Sequence, residues 1–504
     1  MTDDALRELV RACEERPEEP LLVERAVAEH RRLGVPVPGV LLERMRSPAA
    51  TFESERAFTL KGVLPDGSAW LGRTPGTVKI PEHRWWWVEL DGADLHEARA
   101  ELAKARGVAV YGSQPLGERD LDAIPADVEV LHARVPASRA VFERLSRLGK
   151  LASLELALPR GEVAAEVLAP LGRLARLQRL KLNITPRGGL PFVAELPELI
   201  ELSLACDTYD VGLFAFLRGA RLRSLELTGV GGAGFTTRVL ANVATLPQLR
   251  RLALRRCRLD PALEGLERLV TLERLALHLE GLGTYDALRA ISPLTNLREL
   301  DLTGTPIGPI DLEATRTLAR LETLWLRTSS GVTDEGLSSV PSSLRRLAVC
   351  DSAGVTGRFL ATMPALRELE LEGLRNLRGV AFRALRQRRH LASLSLQGSP
   401  VRDEDLELLR GHPALARISL RRTEITDLAL EHLATLPRLR QVDADHCHGI
   451  TRRAFKDFRK RFPESFGTVG PEEECPRCGP GSDARESEAE GEAAPDIAPD
   501  APPS

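Results

Sequence analysis

The sequence predicts an α/β solenoid, a horseshoe with a parallel β-sheet on its concave side and short helices on its convex side. Three observations predict it. The phrase apolar-x-x-apolar-x-apolar occurs thirteen times between Leu151 and Ala444. Successive copies are 22 to 27 residues apart. Inside each copy apolar and polar positions alternate, as in a strand with one buried face. A fixed period of this size marks a stack of small units, each burying its apolar face against the next.

Residues 1–46 come first and read as two or three helices. Asp3 or Asp4 caps the first, with Leu6, Leu9, Val10 and Cys13 on one face. Residues 57–100 read as a small β-rich unit. Phe58, Leu60 and Val63 lead into the turn signal Pro65-Asp66-Gly67-Ser68. Trp70-Leu71, Val78 to Ile80 and Trp85-Trp86-Trp87-Val88 read as further strands. In one strand Trp85 and Trp87 share a face and Trp86 takes the other. This unit either closes the end of the solenoid or offers an aromatic binding platform.

The repeat array spans 105–450. Clear copies are Leu177-Gln-Arg-Leu180-Lys-Leu182, Leu249-Arg-Arg-Leu252-Ala-Leu254 and Leu366-Arg-Glu-Leu369-Glu-Leu371. Two degenerate copies, Ala105 to Val110 and Val128 to Ala133, bring the total to about 15 units. After each strand a small residue turns inward, as at Cys257, Thr305, Thr423 and Cys447. A Thr or Asp then caps a short convex helix, as in Gly331-Val332-Thr333-Asp334 and Ile425-Thr426-Asp427. Residues 451–469 read as a basic amphipathic capping helix with Phe455, Phe458 and Phe462 over the last repeat, or as a membrane- or phosphate-binding helix. Residues 470–504 are rich in Pro, Glu and Ala and read as a disordered acidic tail.

This pattern resembles the leucine-rich repeat family over residues 105–462, most closely its cysteine-containing subclass. Cys appears at only some repeats, and the steps are uneven. The resemblance implies a parallel-stranded horseshoe whose concave sheet binds other proteins. The subclass also resembles the substrate-recognition arms of ubiquitin-ligase receptors. That implies an alternative role as an adaptor of a larger enzyme complex, with a docking module near the N-terminus. High Arg, Ala, Leu and Gly with little Lys suggests a GC-rich bacterial source.

Composition narrows the function. Seven scattered Cys, an odd number, read as reduced thiols in a cytoplasmic protein. Met-Thr-Asp-Asp at the start is no signal peptide, and no apolar run reaches the ~18 residues of a membrane span. Net charge is −3, of which 471–504 carry −8, leaving a mild +5 elsewhere. That is no nucleic-acid signature.

The expected partner is therefore another protein, met on the outward residues of the strands. Their middle row runs Glu155, Lys181, Ser203, Glu226, Ala253, Ala276, Asp301, Trp325, Ala348, Glu370, Ser395, Ser419, Asp443. Ala253, Ala276 and Ala348 leave room for close approach. Trp325 stands outward among them, the residue type most enriched at binding hot spots. Arg251, Arg255, Arg274 and His278 form a basic region, Glu368, Glu370 and Glu372 an acidic one, and Arg417 and Arg421 a second basic one. With Asp301 and Arg327 these are the candidate contacts. Such alternation steers a protein partner and suits a polyphosphate backbone poorly.

The sequence offers little catalytic chemistry. It lacks a phosphate-cradling Gly loop, G-x-S-x-G and H-E-x-x-H. Asp443-Ala444-Asp445-His446-Cys447-His448 holds metal-ligand residue types, but Cys447 falls on the inward ladder. Cys475-Pro-Arg-Cys478 is half a zinc site. The reading is a non-enzymatic binding protein without cofactor, with a metal- or Cys-dependent enzyme as the remaining alternative.

Overall fold

The computed structural model describes residues 48–470, apart from 65–66, 82–84, 113, 207–210, 219, 231–236, 259–262, 281–286, 309, 330 and 378. The helices expected in 1–46, the acidic tail and Cys475 and Cys478 lie outside the described residues. The chain divides into two units, Met1–Leu272 and Glu273–Ser504.

In the first unit, β1 (Pro48–Ser54) runs antiparallel to β4 (Gly76–Pro81). Strand β2 (Thr59–Leu64) pairs antiparallel with both β3 (Gly67–Arg73) and β5 (Trp86–Asp91). Leu64 pairs with Gly67, so the chain reverses at the turn signal. Strand β1 had no reading in the sequence: Pro-Ala-Ala-Thr-Phe-Glu-Ser holds one large apolar side chain and shows no alternation. Strand β5 pairs parallel with β6 (Gly107–Tyr111), so the tryptophan strand is also the first rung of the parallel sheet. The rungs continue through β7 (Val130–Arg134), β8 (Ser153–Ala164), β9 (Arg179–Arg187), β10 (Glu201–Cys206), β11 (Ser224–Gly229) and β12 (Arg251–Arg258).

Leucines set this register. Leu154, Leu180, Leu202, Leu225 and Leu252 form one column, and Leu156, Leu182, Leu204, Leu227 and Leu254 the next. All are buried. A slip of one residue would turn both columns into water, at about 2 kcal/mol per leucine.

The second unit repeats the arrangement in β13 (Arg274–Glu280), β14 (Glu299–Asp301), β15 (Thr323–Leu326), β16 (Arg346–Cys350), β17 (Glu368–Glu372), β18 (Ser393–Ser395), β19 (Arg417–Ser419) and β20 (Gln441–Asp443). These pair in parallel in sequence order. Strands β6 to β20 number fifteen, one per repeat read from the sequence. The fold is an α/β leucine-rich repeat solenoid.

The exits from the strands share a geometry. Gly304, Thr328, Asp351, Gly373, Gly398, Arg422 and His446 each lie three residues past the middle outward position, and all have φ between 54° and 70°. The chain turns there through left-handed backbone, which glycine adopts without strain. At all of these exits but Gly373, which Leu374 follows, the next residue points inward and donates to a backbone carbonyl. Ser329 donates to Leu302 (3.2 Å), Ser352 to Ser329 (2.9 Å), Ser399 to Leu371 (2.9 Å) and the Cys447 thiol to Leu420 (3.0 Å). Thr305 and Thr423 belong to the same ladder. The serines were missed in the sequence, yet serve the same purpose as Thr and Cys: a buried carbonyl needs a donor, and only a small side chain fits.

On the other side the repeats carry 3-10 turns or short α-helices, with α-helix after β6 to β8 and after each of β17 to β20 and mainly 3-10 turns between. Thr333, Thr426 and Thr451 cap the helices Asp334–Ser338, Asp427–Leu433 and Arg452–Arg461. Phe455, Phe458 and Phe462 are buried at the last of these. Phe466 and Val469 then make parallel bridges to Asp443 and Cys447, adding one short rung. Among the described residues no helix is long and apolar enough to cross a membrane.

Candidate binding surface

The outward face of the second unit follows the row read from the sequence. Ala276, Asp301, Trp325, Ala348, Glu370, Ser395, Ser419 and Asp443 stand side by side. Its chemistry differs from the expectation in two respects.

The first concerns space. Trp325 faces outward but is half-buried. Ala348, expected to leave room for a partner, is only 1% exposed. Arg327, just past β15, forms an ion pair with Glu370 on β17. The pair reaches across β16, whose outward residues Ala348 and Cys350 are both buried. Small side chains on the middle strand therefore admit the protein's own arginine. Burial, and then the Glu372 carboxylate, push the Cys350 thiol up to about 12, so it stays an unreactive thiol.

The second concerns charge. The blocks of like sign resolve into pairs. Arg274 meets Glu299 at 3.2 Å, His278 meets Asp301 at 2.9 Å and Arg421 meets Asp445 at 3.4 Å. Glu372 accepts from Ser395 at 2.6 Å. In the first unit Arg255 meets Glu226 at 2.8 Å, while Arg251 stands exposed at the start of β12. The basic region of four thus falls partly in each unit, and three of its members have an acidic neighbour. Glu368 and Arg417 remain exposed on either side of Ser393, without an ion-pair partner among the described residues.

The first unit carries a patch that the sequence reading did not assemble. Its middle row starts earlier, at Glu89, Ala109 and His132, before Glu155 and Lys181. Trp87 stands in the adjoining row beside Gly107 and Val130. Its ring lies 4.5 Å from that of His132 and packs on Ala109 and Val130. Although outward, it is buried. A Cβ on Gly107 would come 2.4 Å from the Trp86 carbonyl oxygen and 2.9 Å from Trp87 Cβ, so only glycine fits there. Trp85 packs against this cluster, with the Arg179 guanidinium 5.1 Å over its ring.

Polar groups fix the patch at its edge. Tyr111 is 53% exposed, and its hydroxyl donates to Glu89 at 3.3 Å. Lys61 (3.1 Å) and Trp87 Nε1 (3.4 Å) also reach Glu89, and Lys181 meets Glu155 at 2.7 Å. Burial, then Glu89 and Glu155, push the Tyr111 phenol above its ordinary range, so it remains a donor. Burial lowers His132, which favours the neutral ring against Trp87. The sequence offered the three tryptophans as an aromatic binding platform. Starting the outward row at Glu155 hid Tyr111 and His132, which lie just after and within the two degenerate repeats.

The residues from Asp443 to His448 are spent on the fold. Cys447 is buried, as its ladder position requires. Asp443 accepts from Ser419 (3.1 Å), Asp445 from the Thr468 amide (3.0 Å), and His448 Nδ1 lies 3.0 Å from the Gly470 carbonyl. His446 occupies the left-handed exit with φ 56°. Among the described residues no group of three or more His, Cys, Asp or Glu is arranged to hold a metal.

No family model matches the sequence. Among solved structures the chain is similar to an internalin from Listeria monocytogenes, at 20% identity over 69% of this chain and 94% of that one, with a TM-score of 0.44. It is similar to a leucine-rich repeat protein of Leptospira interrogans at 17% identity, 75% and 99% coverage and a TM-score of 0.46. It is also similar to TLR13 in its complex with ssRNA13, at 16% identity, 76% and 64% coverage and a TM-score of 0.44.

Proposed function

We propose that this protein recognises another protein on the outward faces of its parallel strands, without catalysis, in the cytoplasm. The main contact is the exposed Tyr111 on the patch that Trp85, buried Trp87 and His132 build, and Trp325 is a second one. One observation carries this reading. On a face where most charges are already paired, Tyr111 stands half in solvent, its hydroxyl on the Glu89 carboxylate that the packed Trp87 ring also reaches.

Paired charges and locked rings are already ordered before a partner arrives. Binding then costs little side-chain freedom, and aromatic groups supply large contact area with few rotatable bonds. The four described cysteines, all buried thiols, fit a reducing compartment.

Affinity capture from native extract tests the reading with the intact protein, Tyr111→Ala and Trp325→Ala, each verified by circular dichroism. A hot-spot tyrosine contributes about 2 kcal/mol, so captured partner should fall roughly tenfold or more with Tyr111→Ala. Equal capture by all three proteins would move recognition away from these faces.

A further inference from the structure

The helix Arg452–Arg461 turns six cations to solvent: Arg452, Arg453, Lys456, Arg459, Lys460 and Arg461. Its other side is anchored by buried Phe455 and Phe458. The helix has one carboxylate, Asp457, bound to Lys460 at 2.6 Å. Lys456 repels Arg453 and Arg459 at i,i+3 spacing. Cations in the last turn suit the helix dipole, but Arg452 and Arg453 in the first turn oppose it. Phenylalanine burial thus holds this face together against its own charge, and an anion laid on it relieves the repulsion.

The chain carries such an anion next to the helix. Residues 471–504 hold ten acidic and two basic groups. The tail departs from the helix itself. Gly470 lies against Arg452, where a Cβ would come 3.1 Å from Nε, and His448 Nδ1 is 3.0 Å from the Gly470 carbonyl. The helix is about 15 Å long. Glu472, Glu473 and Glu474 follow Gly470 within two to four residues, a contour of roughly 7–14 Å. Asp483 lies thirteen residues on, a contour of about 43 Å, so the acids up to Glu492 have chain to spare for the whole helix. Tethering on this scale gives an effective concentration on the order of millimolar, above that of most free competitors.

We propose that the acidic segment 471–504 docks on the basic face of the helix Arg452–Arg461 within the same chain. Its carboxylates pair chiefly with Arg453, Lys456 and Arg459, since Lys460 already meets Asp457 and Arg461 lies over the Phe462 ring, and the segment shields a surface that free polyanions would otherwise occupy.

Zero-length carbodiimide coupling of the full chain at low ionic strength, read by mass spectrometry, tests this. The Lys460–Asp457 link is the built-in control that the reagent has acted. The expected result is amide links from Lys456 and Lys460 to carboxylates of 471–504. They should exceed those from the exposed Lys79 and Lys150 by about fivefold and vanish near 0.5 M salt, where the Debye length falls to about 4 Å. Arg452→Glu, Arg453→Glu, Arg459→Glu keeps both lysines and all three phenylalanines, and should abolish the tail links while keeping Lys460–Asp457. Tail links no more frequent than those of Lys79 and Lys150 overturn the proposal. So does their survival after charge reversal, or their occurrence between chains in a mixture of isotope-labelled and unlabelled protein.

Discussion

At the scale of single residues, Asp301 shows how the outward face sets its own charges. Burial alone would raise its carboxyl pKa. Hydrogen bonds from His278 and from the side chain and amide of Thr303 outweigh that and hold it at about 2. The folded value lies below the ordinary carboxylate value, so the ionised form stabilises the fold. That contribution is full above about pH 4 and lost as the pH falls through about 2. Asp301→Asn should therefore cost about 1–2 kcal/mol near pH 6, a figure reduced from the full shift because the side chain is partly solvated. Urea unfolding of both proteins across pH 6 to 2 reads it. The two curves should converge at the acid end, and a constant gap down to pH 2 would mean the carboxylate charge contributes nothing there.

At the scale of elements, adjacent repeats are joined on the helical side by carboxylates. Asp403 accepts from the Thr426 amide (2.9 Å) and hydroxyl (2.6 Å), and Asp427 accepts likewise from Thr451 (2.7 and 2.8 Å). The first-turn Asp of one repeat thus holds the capping Thr of the next. The threonine caps were legible in the sequence because capping is local, a Thr just before an apolar run. The carboxylate links were not, because they join residues 23 or 24 apart that meet only once the strands are in register. Asp334 is the buried member, and accepts from Thr356, the Gly357 amide (3.1 Å) and the Phe359 amide (3.4 Å). Asp334→Ala leaves those buried amides without an acceptor and should cost about 2–4 kcal/mol. Asp403→Ala leaves groups that water can reach and should cost about 1 kcal/mol or less. Denaturant unfolding of the two variants gives the order; equal losses would show that burial of the acceptor does not decide the matter.

At the scale of the whole molecule, repetition made the fold legible. One copy of the leucine phrase is ambiguous, but fifteen fix the strand positions and, through a period of two, which residues face outward. Occupancy of the outward face was less legible. Arg327 reaching Glu370 depends on the small residues of the strand between them, and Trp87 lying over the sheet depends on Gly107; both are relations between neighbouring strands. The same dependence on neighbours governs stability. Apart from reaches such as Arg327 to Glu370, each rung packs against the rungs beside it, so local damage should spread mainly by nearest-neighbour coupling and then fade. Leu324 in β15 is fully buried between Leu300 and Leu347 of its column. Leu324→Ala should cost about 3 kcal/mol. Amide hydrogen exchange should quicken most in β14, β15 and β16 and return towards the parent rates by β19 and β20. The coupling between rungs is then read from how far the acceleration reaches. A uniform acceleration from β13 to β20 would instead make the second unit one cooperative block, in which a substitution in any rung weakens the outward face throughout.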